Sequence, residues 1–209
     1  MFDSRFFLLG ISGHKRVGKN TMADAFIRRL SSLGIFARQY AFADELKKEI
    51  DPLFLLNAGI SAFTEDPVEK ERVRRVLISY GTGYWRDKDP DHWIKRLAEN
   101  LKKQPNPHIA IITDARFASN EIPWIKNNGG KIIHLSRINE DGTGFPPAGE
   151  DEAYNDPLIK EIADHKISWK NYKNNLHDCY YSAIHCFNQI FPPEQISQWQ
   201  NDFPIPTQN

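Results

Sequence analysis

The sequence predicts an α/β domain built on a doubly wound parallel sheet, and three observations carry that expectation. A short apolar run, Phe6-Phe7-Leu8-Leu9-Gly10-Ile11, has the composition of a strand covered on both faces. It leads into Gly13-His14-Lys15-Arg16-Val17-Gly18-Lys19-Asn20-Thr21, which has the spacing of a phosphate-binding loop. From Thr21 the residues Met22, Ala25, Phe26, Ile27 and Leu30 recur at helical spacing, with Asp24, Arg28 and Arg29 on the other side. Strand, glycine loop and helix in that order are the context that gives the loop pattern meaning, because the bare pattern also arises by chance.

Alternating strands and helices continue along the chain, the sequence form of a sheet with helices on its faces. Ile35 to Phe42 reads as a second strand, interrupted by Arg38 and Gln39, and Asp44 to Leu55 as a helix opened by that aspartate. Glu69 to Tyr80 and Asp91 to Lys103 are further helices, and Ile109 to Thr113 is a buried strand ending at Asp114. Ser119 to Asn128 is a helix closed by Gly129-Gly130, and Lys131 to Ser136 supplies the next strand. Asn139 to Pro157 is rich in Gly, Pro, Asp and Glu, lacks periodicity and exceeds the usual connection; it is expected to be either a lid or a solvated insertion. Leu176, Tyr180, Ala183, Ile184 and Phe187 restore a helical stripe, and the Pro-, Gln- and Asn-rich stretch after Phe191 reads as a tail ordered only by docking.

At 209 residues one domain with a sizeable core and room for an inserted flap is expected. The formal net charge is zero and the sequence pI is about 7.1, which gives no general attraction toward nucleic acid or an anionic membrane. No apolar stretch approaches a membrane span, and Phe6 to Ile11 is too short, and lacks the basic flank, for a signal peptide, so a cytoplasmic location is expected. Cys179 and Cys186, the two cysteines, then read as free thiols.

The glycine loop points to a bound triphosphate. In such loops backbone N–H groups wrap the phosphates, the lysine reaches the β and γ oxygens, and the helix start adds partial positive charge. Asn20 stands directly after Lys19, where most such loops carry Ser or Thr, and the hydroxyl comes one place later, at Thr21. Asp114, at the carboxyl end of a buried strand, lies where open α/β sheets bind ligands and is placed to hold the waters of a magnesium ion. Arg116 emerges at the same edge, where its planar fork suits a phosphate. Lys47, Arg86 and Arg137 occupy further loop or helix ends. Phosphoryl transfer explains the need for so many cations, since its catalysis is mainly positioning and charge neutralisation. An acceptor that is itself a phosphate needs no activated nucleophile, and no Ser/His/Asp arrangement is evident in the sequence.

These residues resemble the bacteriophage-type deoxynucleoside monophosphate kinases, members of the P-loop nucleotide kinases. Gly13 to Thr21 is similar to that family's G-x-K-R-x-G-K-D-T loop, and the Lys-x-Thr ending to the G-K-G-T of adenylate kinases. Tyr40-Ala41-Phe42-Ala43-Asp44-Glu45-Leu46-Lys47 resembles the aromatic-Ala-x-x-Leu-Lys segment. Tyr80-Gly81-Thr82 through Arg86 to Trp93 resembles the Gly-Thr, Arg, Trp segment, and Asp114-Ala115-Arg116-Phe117 with Asn120-Glu121 the D-V-R-F-P-N-E segment. The resemblance runs from about Phe7 to Arg137, with a looser echo at Trp169 to Phe187.

It implies a P-loop kinase fold of about five strands in the order 2-3-1-4-5, and transfer of the γ-phosphoryl group of ATP, with Mg2+, to a deoxynucleoside monophosphate. Gly13, Lys15, Arg16, Gly18, Lys19, Asn20 and Thr21 would cradle the triphosphate, with Arg137 beside them. Lys47, Arg86, Trp93 and Arg116 would hold the acceptor, Lys19, Arg86 and Arg116 would act in catalysis, and Thr21 and Asp114 would serve the metal. One kinase domain over residues 1–191 is implied, with an acceptor region at about 40–103, a lid at about 137–165 and a tail at 192–209. A possible homodimer, and no nucleic-acid or membrane partner, complete the expectation. Asn20 replaces the family Asp, and Ala118 stands where the family has Pro, a change expected to be structural only. A phosphomevalonate kinase-like enzyme and a non-catalytic ATP-binding switch are the alternatives.

Other clusters have plainer readings. His177, Cys179, His185 and Cys186 lack the spacing of a zinc site, and Asp87, Asp89 and Asp91 lack the Gly and terminal Glu of a calcium loop. Trp85 and Trp93 suit nucleobase stacking or core packing alike. Arg72, Arg74 and Arg75, with Glu69 and Glu71, read as a solvated helix face.

Overall fold

A computed structural model describes residues 5–170 and 175–206. The last residues of the expected tail, 207–209, and residues 171–174 of the looser resemblance lie outside them. The chain divides into two compact units, one formed by residues 1–40 and 104–209, the other by 41–103.

The first unit holds a five-stranded parallel sheet in the order β2-β3-β1-β4-β5. The strands are β1 (Phe6–Ser12), β2 (Ala37–Tyr40), β3 (His108–Ile112), β4 (Lys131–Ile138) and β5 (His165–Lys170). β1 lies between β3 and β4, with Gly10 opposite both Ile112 and Ile132. β3 is buried at every residue, which explains why it reads as an unbroken apolar run. β5, at an edge, alternates instead, sending Ile167 and Trp169 inward.

In this order β1 and β3 are neighbours whose continuations depart in opposite directions across the sheet, opening a crevice at their carboxyl ends. Helix α1 (Lys19–Ser32) follows β1 and buries Met22, Ala23, Ala25, Phe26 and Leu30. Three helices of residues 41–103, given below, intervene in the numbering before α5 (Glu121–Asn127), which follows β3 and is capped by the Asn120 side chain on the Glu121 N–H.

The region read as irregular from Asn139 to Pro157 contains a β-bridge, Ile138 to Gly144, and the start of helix α6 (Glu150–Ile162). Periodicity missed α6 because only Asn155 and Ile159 of it are buried and Pro157 interrupts it. Its remaining support comes from polar contacts distant in sequence. Helix α7 (Leu176–Ile190) brings Ala183 and Phe187 into the core beside Phe26. The stretch after Phe191 forms helix α8 (Pro193–Asp202), anchored by Trp199 against Phe7 and Phe191 and followed by buried Phe203.

The second unit is helical: α2 (Phe42–Ala58), α3 (Pro67–Tyr80), a π-helical turn (Gly81–Arg86) and α4 (His92–Lys102). α3 starts at the Asp66 side chain, which accepts from the N–H groups of Val68 and Glu69, with Pro67 at the first helical position. Asp44 does not open α2. The helix begins two residues earlier, after extended Ala41, and Asp44 and Glu45 lie in its first turn, where their charge suits the helix dipole. Leu46, Ile50, Val73, Trp93, Ile94, Leu97 and Leu101 are buried.

Candidate functional site

The glycine loop bridges β1 and α1, and its backbone explains its glycines. Gly13 and Gly18 hold φ angles of +125° and +99°, a region that side chains rarely adopt. Space is closed as well: a Cβ on Gly13 would collide with the carbonyl oxygen of Leu135, and one on Gly18 with the Trp169 ring. Arg16 is left-handed too, at φ 68°, the one non-glycine of that kind among the described residues. Backbone held there by its surroundings is strained, a frequent property of ligand clamps.

Lys19 is 8% exposed, and its Nζ donates to the carbonyls of Gly13 (2.7 Å) and His14 (2.9 Å). Burial pulls its pKa down to about 8; the Arg116 guanidinium pushes the same way, while Glu152, Asp114 and Asp156 oppose. The lysine therefore remains mostly protonated at neutral pH, held by the two loop carbonyls. Arg116 and Asp114, in the loop after β3, thus lie near enough to act on the charge of Lys19. That second loop is held by Glu121, 1% exposed, whose Oε2 accepts from the N–H groups of Arg116 (2.7 Å) and Phe117 (3.1 Å).

Arg137, at the end of β4, donates to the carbonyl of Arg16 (3.0 Å) and packs its guanidinium over Phe145. The Trp169 indole N–H donates to the carbonyl of Val17 (2.7 Å). Arg137, Trp169 and Val17, with Gly18, Thr21, Lys170 and Cys179, line a small pocket of about 90 Å³ beside the loop. Asn20 is exposed on the first turn of α1.

Helix α6 supplies contacts that motif reading missed. Glu152 accepts from the Lys15 N–H (2.8 Å), and Asp156 lies between the rings of His14 (3.2 Å) and His134 (3.0 Å). Ala118 donates its N–H to Asn155 Oδ1 (3.0 Å), a bond that proline could not make. The Ala118 departure thus permits a hydrogen bond between this loop and α6. The signal available in the sequence was the spacing Glu152, Asn155, Asp156, which shares one helix face, but it is legible only once a helix is assigned there.

Lys47, Arg86 and Trp93 belong to the second unit. The Lys47 Nζ lies 3.4 Å from Asp44 and over the Phe63 ring, and Arg86 ends the π-helical turn. Trp93 is corrected as an acceptor-binding residue: it is 2% exposed and its indole N–H donates to the Gly81 carbonyl (3.1 Å), so it is a core residue. Trp85 instead stacks on His92, ring centroids 3.9 Å apart, and burial lowers the His92 pKa against the opposing charge of Glu49. The buried His92 Nε2 lies 4.0 Å from a Glu49 carboxylate oxygen, too far for a hydrogen bond, and the buried Trp85 indole nitrogen sits beside Tyr80.

Among the described residues no group of three or more His, Cys, Asp or Glu side chains could hold a metal ion by itself. A magnesium ion bound chiefly by phosphates and water needs only one or two protein oxygens, and Asp114 beside Lys19 fits that lesser demand. No described helix is long and apolar enough to cross a membrane.

Strand order and glycine loop together define a P-loop kinase, a phosphotransferase. No protein-family model matches the sequence. Over 149 residues the chain is 32% identical to the "Putative deoxynucleotide monophosphate kinase" of Acanthamoeba polyphaga mimivirus, covering 62% of this chain and 74% of that one. The chain belongs to the family of that viral protein. Among solved structures it is similar to dephospho-CoA kinase from Campylobacter jejuni (14% identity, 89% of this chain and 96% of that one, TM-score 0.40). Shikimate kinase from Aquifex aeolicus is similar at 16% identity, with 87% and 99% covered and a TM-score of 0.44.

Proposed function

We propose that the protein is a deoxynucleoside monophosphate kinase, transferring the γ-phosphoryl group of ATP to a deoxynucleoside monophosphate to give ADP and the diphosphate. The observation that carries the reading is the convergence of Lys19, Arg116 and Asp114 at the crevice beyond β1 and β3, in a chain 32% identical to the viral protein of that name. An acceptor phosphate oxygen attacks the γ phosphorus, the new O–P bond forms as the bond to the β-bridging oxygen breaks, and ADP leaves with that electron pair. Lys19 and the loop N–H groups after Lys15 stabilise the charge on the donor phosphates, and Arg116 that on the transferring group. Lys15, Arg16, Asn20 and Arg137 border the donor.

Lys47 and Arg86 are assigned to the acceptor phosphate by resemblance, within an acceptor region of about 40–103. Of the stretch of about 137–165 expected as lid, the part that precedes helix α6, residues 139–149, is assigned as lid. Asp114, with Thr21, would hold magnesium, which supplies charge neutralisation between the phosphates when bound.

The test is a coupled assay of ATP consumption with a panel of deoxy- and ribonucleoside monophosphates and non-nucleotide phosphate metabolites. Transfer to one or more deoxynucleoside monophosphates is expected. Transfer only to another metabolite overturns the acceptor, and ATP binding without any transfer overturns the enzyme reading.

A further inference from the structure

Helix α6 presents Glu152, Asn155 and Asp156 on one face, since residues three and four apart stack on the same side. Each reaches a different part of the crevice. The Glu152 carboxylate uses one oxygen for the N–H of Lys15 in the glycine loop and the other for the N–H of Ala148, just before its own helix. Asp156 holds the His14 ring, whose other nitrogen lies 2.6 Å from the carbonyl oxygen of Phe145. Asn155, 7% exposed, accepts from Ala118 in the loop after β3 and donates to the carbonyl of Asp151.

These side chains are themselves fixed. Asp156 is seated by the His134 ring, 2% exposed on β4. Burial works against its charge, but the hydrogen bond and positive neighbours outweigh burial and hold its carboxyl below the usual range. A carboxylate pinned in this way transmits position and not merely charge.

The two loops leave different strands and carry different chemistry: Lys19 follows one, Asp114 and Arg116 belong to the other. Transfer depends on their relative placement to a fraction of an ångström. We propose that the Glu152–Asn155–Asp156 face of α6 is a positioning brace that sets the glycine loop against the Asp114–Arg116 loop. Its members touch loop backbone and the His14 ring, so they act through other residues. The proposal deepens the kinase reading and rests on it for its kinetic consequences only.

The experiment compares wild type with Glu152→Ala, Glu152→Gln and Asn155→Ala by amide hydrogen exchange without ligand, by direct ATP binding, and by kcat with the best acceptor. Glu152→Ala is expected to speed exchange at Lys15 and raise the ATP Kd about tenfold, as the loss of one charged hydrogen bond predicts. Glu152→Gln keeps the accepting oxygen and should return both values to within about threefold of wild type. Asn155→Ala should speed exchange at Ala118 and lower kcat severalfold while moving the ATP Kd less than twofold, a split that general destabilisation does not give. Unchanged exchange at Lys15 and Ala118, or tighter ATP binding by Glu152→Ala, overturns the brace. Should Glu152→Ala fail to fold, Glu152→Gln decides: an ATP Kd raised as far as tenfold would show that charge, not the accepting oxygen, is what matters, and the brace falls. Absence of transfer by wild type to any nucleotide removes the kinase reading alone, because the exchange measurements still decide the brace.

Discussion

The glycine loop and the aromatic turn of residues 81–93 differ in how their polar groups are satisfied. In the loop, the Lys19 ammonium has two carbonyls, the Lys15 N–H has Glu152, and the Val17 and Arg16 carbonyls have Trp169 and Arg137. In the turn, Trp85 and His92 stack on each other, and their buried nitrogens meet only looser contacts, His92 Nε2 lying 4.0 Å from a Glu49 carboxylate oxygen and Trp85 beside Tyr80. A wholly unmet buried polar group costs about 1–3 kcal/mol, and looser contacts of this kind offset only part of that. The comparison separates a loop whose polar groups are met by short hydrogen bonds from a turn held by ring stacking and longer polar contacts.

The most damaging way to break the organised side is Lys19→Ala, expected to lower kcat by about a thousandfold, as for loss of a donor to developing charge. The circular-dichroism spectrum should stay native; near-normal turnover would remove Lys19 from the site. Gly13→Ala comes next. It forces a Cβ against the Leu135 carbonyl at an unfavourable φ, so a loss of about 3 kcal/mol in chemical denaturation is expected, and stability within 0.5 kcal/mol of wild type would contradict the described loop.

A pH series separates two consequences of the buried lysine. With its pKa near 8 in the folded protein and 10.5 as the ordinary value, the unfolded chain holds the proton more firmly between those limits. The stability penalty from Lys19 is therefore fully present below about pH 8 and disappears toward 10.5, so this group makes stability rise with pH. ATP needs the charged form, so kcat/KM for ATP should fall above about pH 8 over the same interval. A flat kcat/KM from pH 7 to 10 would count against the lysine's role.

The smallest effect is expected in the aromatic turn. Trp85→Phe keeps an aromatic ring and removes the loosely held indole N–H, so stability should change by less than about 1 kcal/mol in either direction. The acceptor KM should rise severalfold with the ATP Kd unchanged; no change in either would make that nitrogen irrelevant to binding.

The two regions were not equally legible. Gly13, Gly18 and Lys19 are recognisable because a phosphate loop is one continuous segment in which positive φ angles and a lysine recur at fixed spacing. Asp114 and Arg116 are recognisable because a wholly buried strand announces its own end. Trp93 was misread because an aromatic residue near a candidate site looks the same whether it faces a ligand or the core; its burial and its bond to Gly81 assign it to the core. Helix α6 escaped notice because a helix held by Glu152, Asn155 and Asp156 shows no apolar stripe. Its contacts span up to 137 residues of chain, and local pattern carries no record of such pairs.

The sequence by itself determined the strand, loop and helix around Lys19, since these follow from apolar runs, glycine conformations and helical spacing within some twenty-five residues. Only the tertiary structure decided which groups surround that lysine. Burial lowered its pKa, β4 and β5 supplied Arg137 and Trp169, and α6 contributed carboxylates. Those effects depend on distances between segments remote in the chain, and distance is established by packing rather than by neighbouring residues.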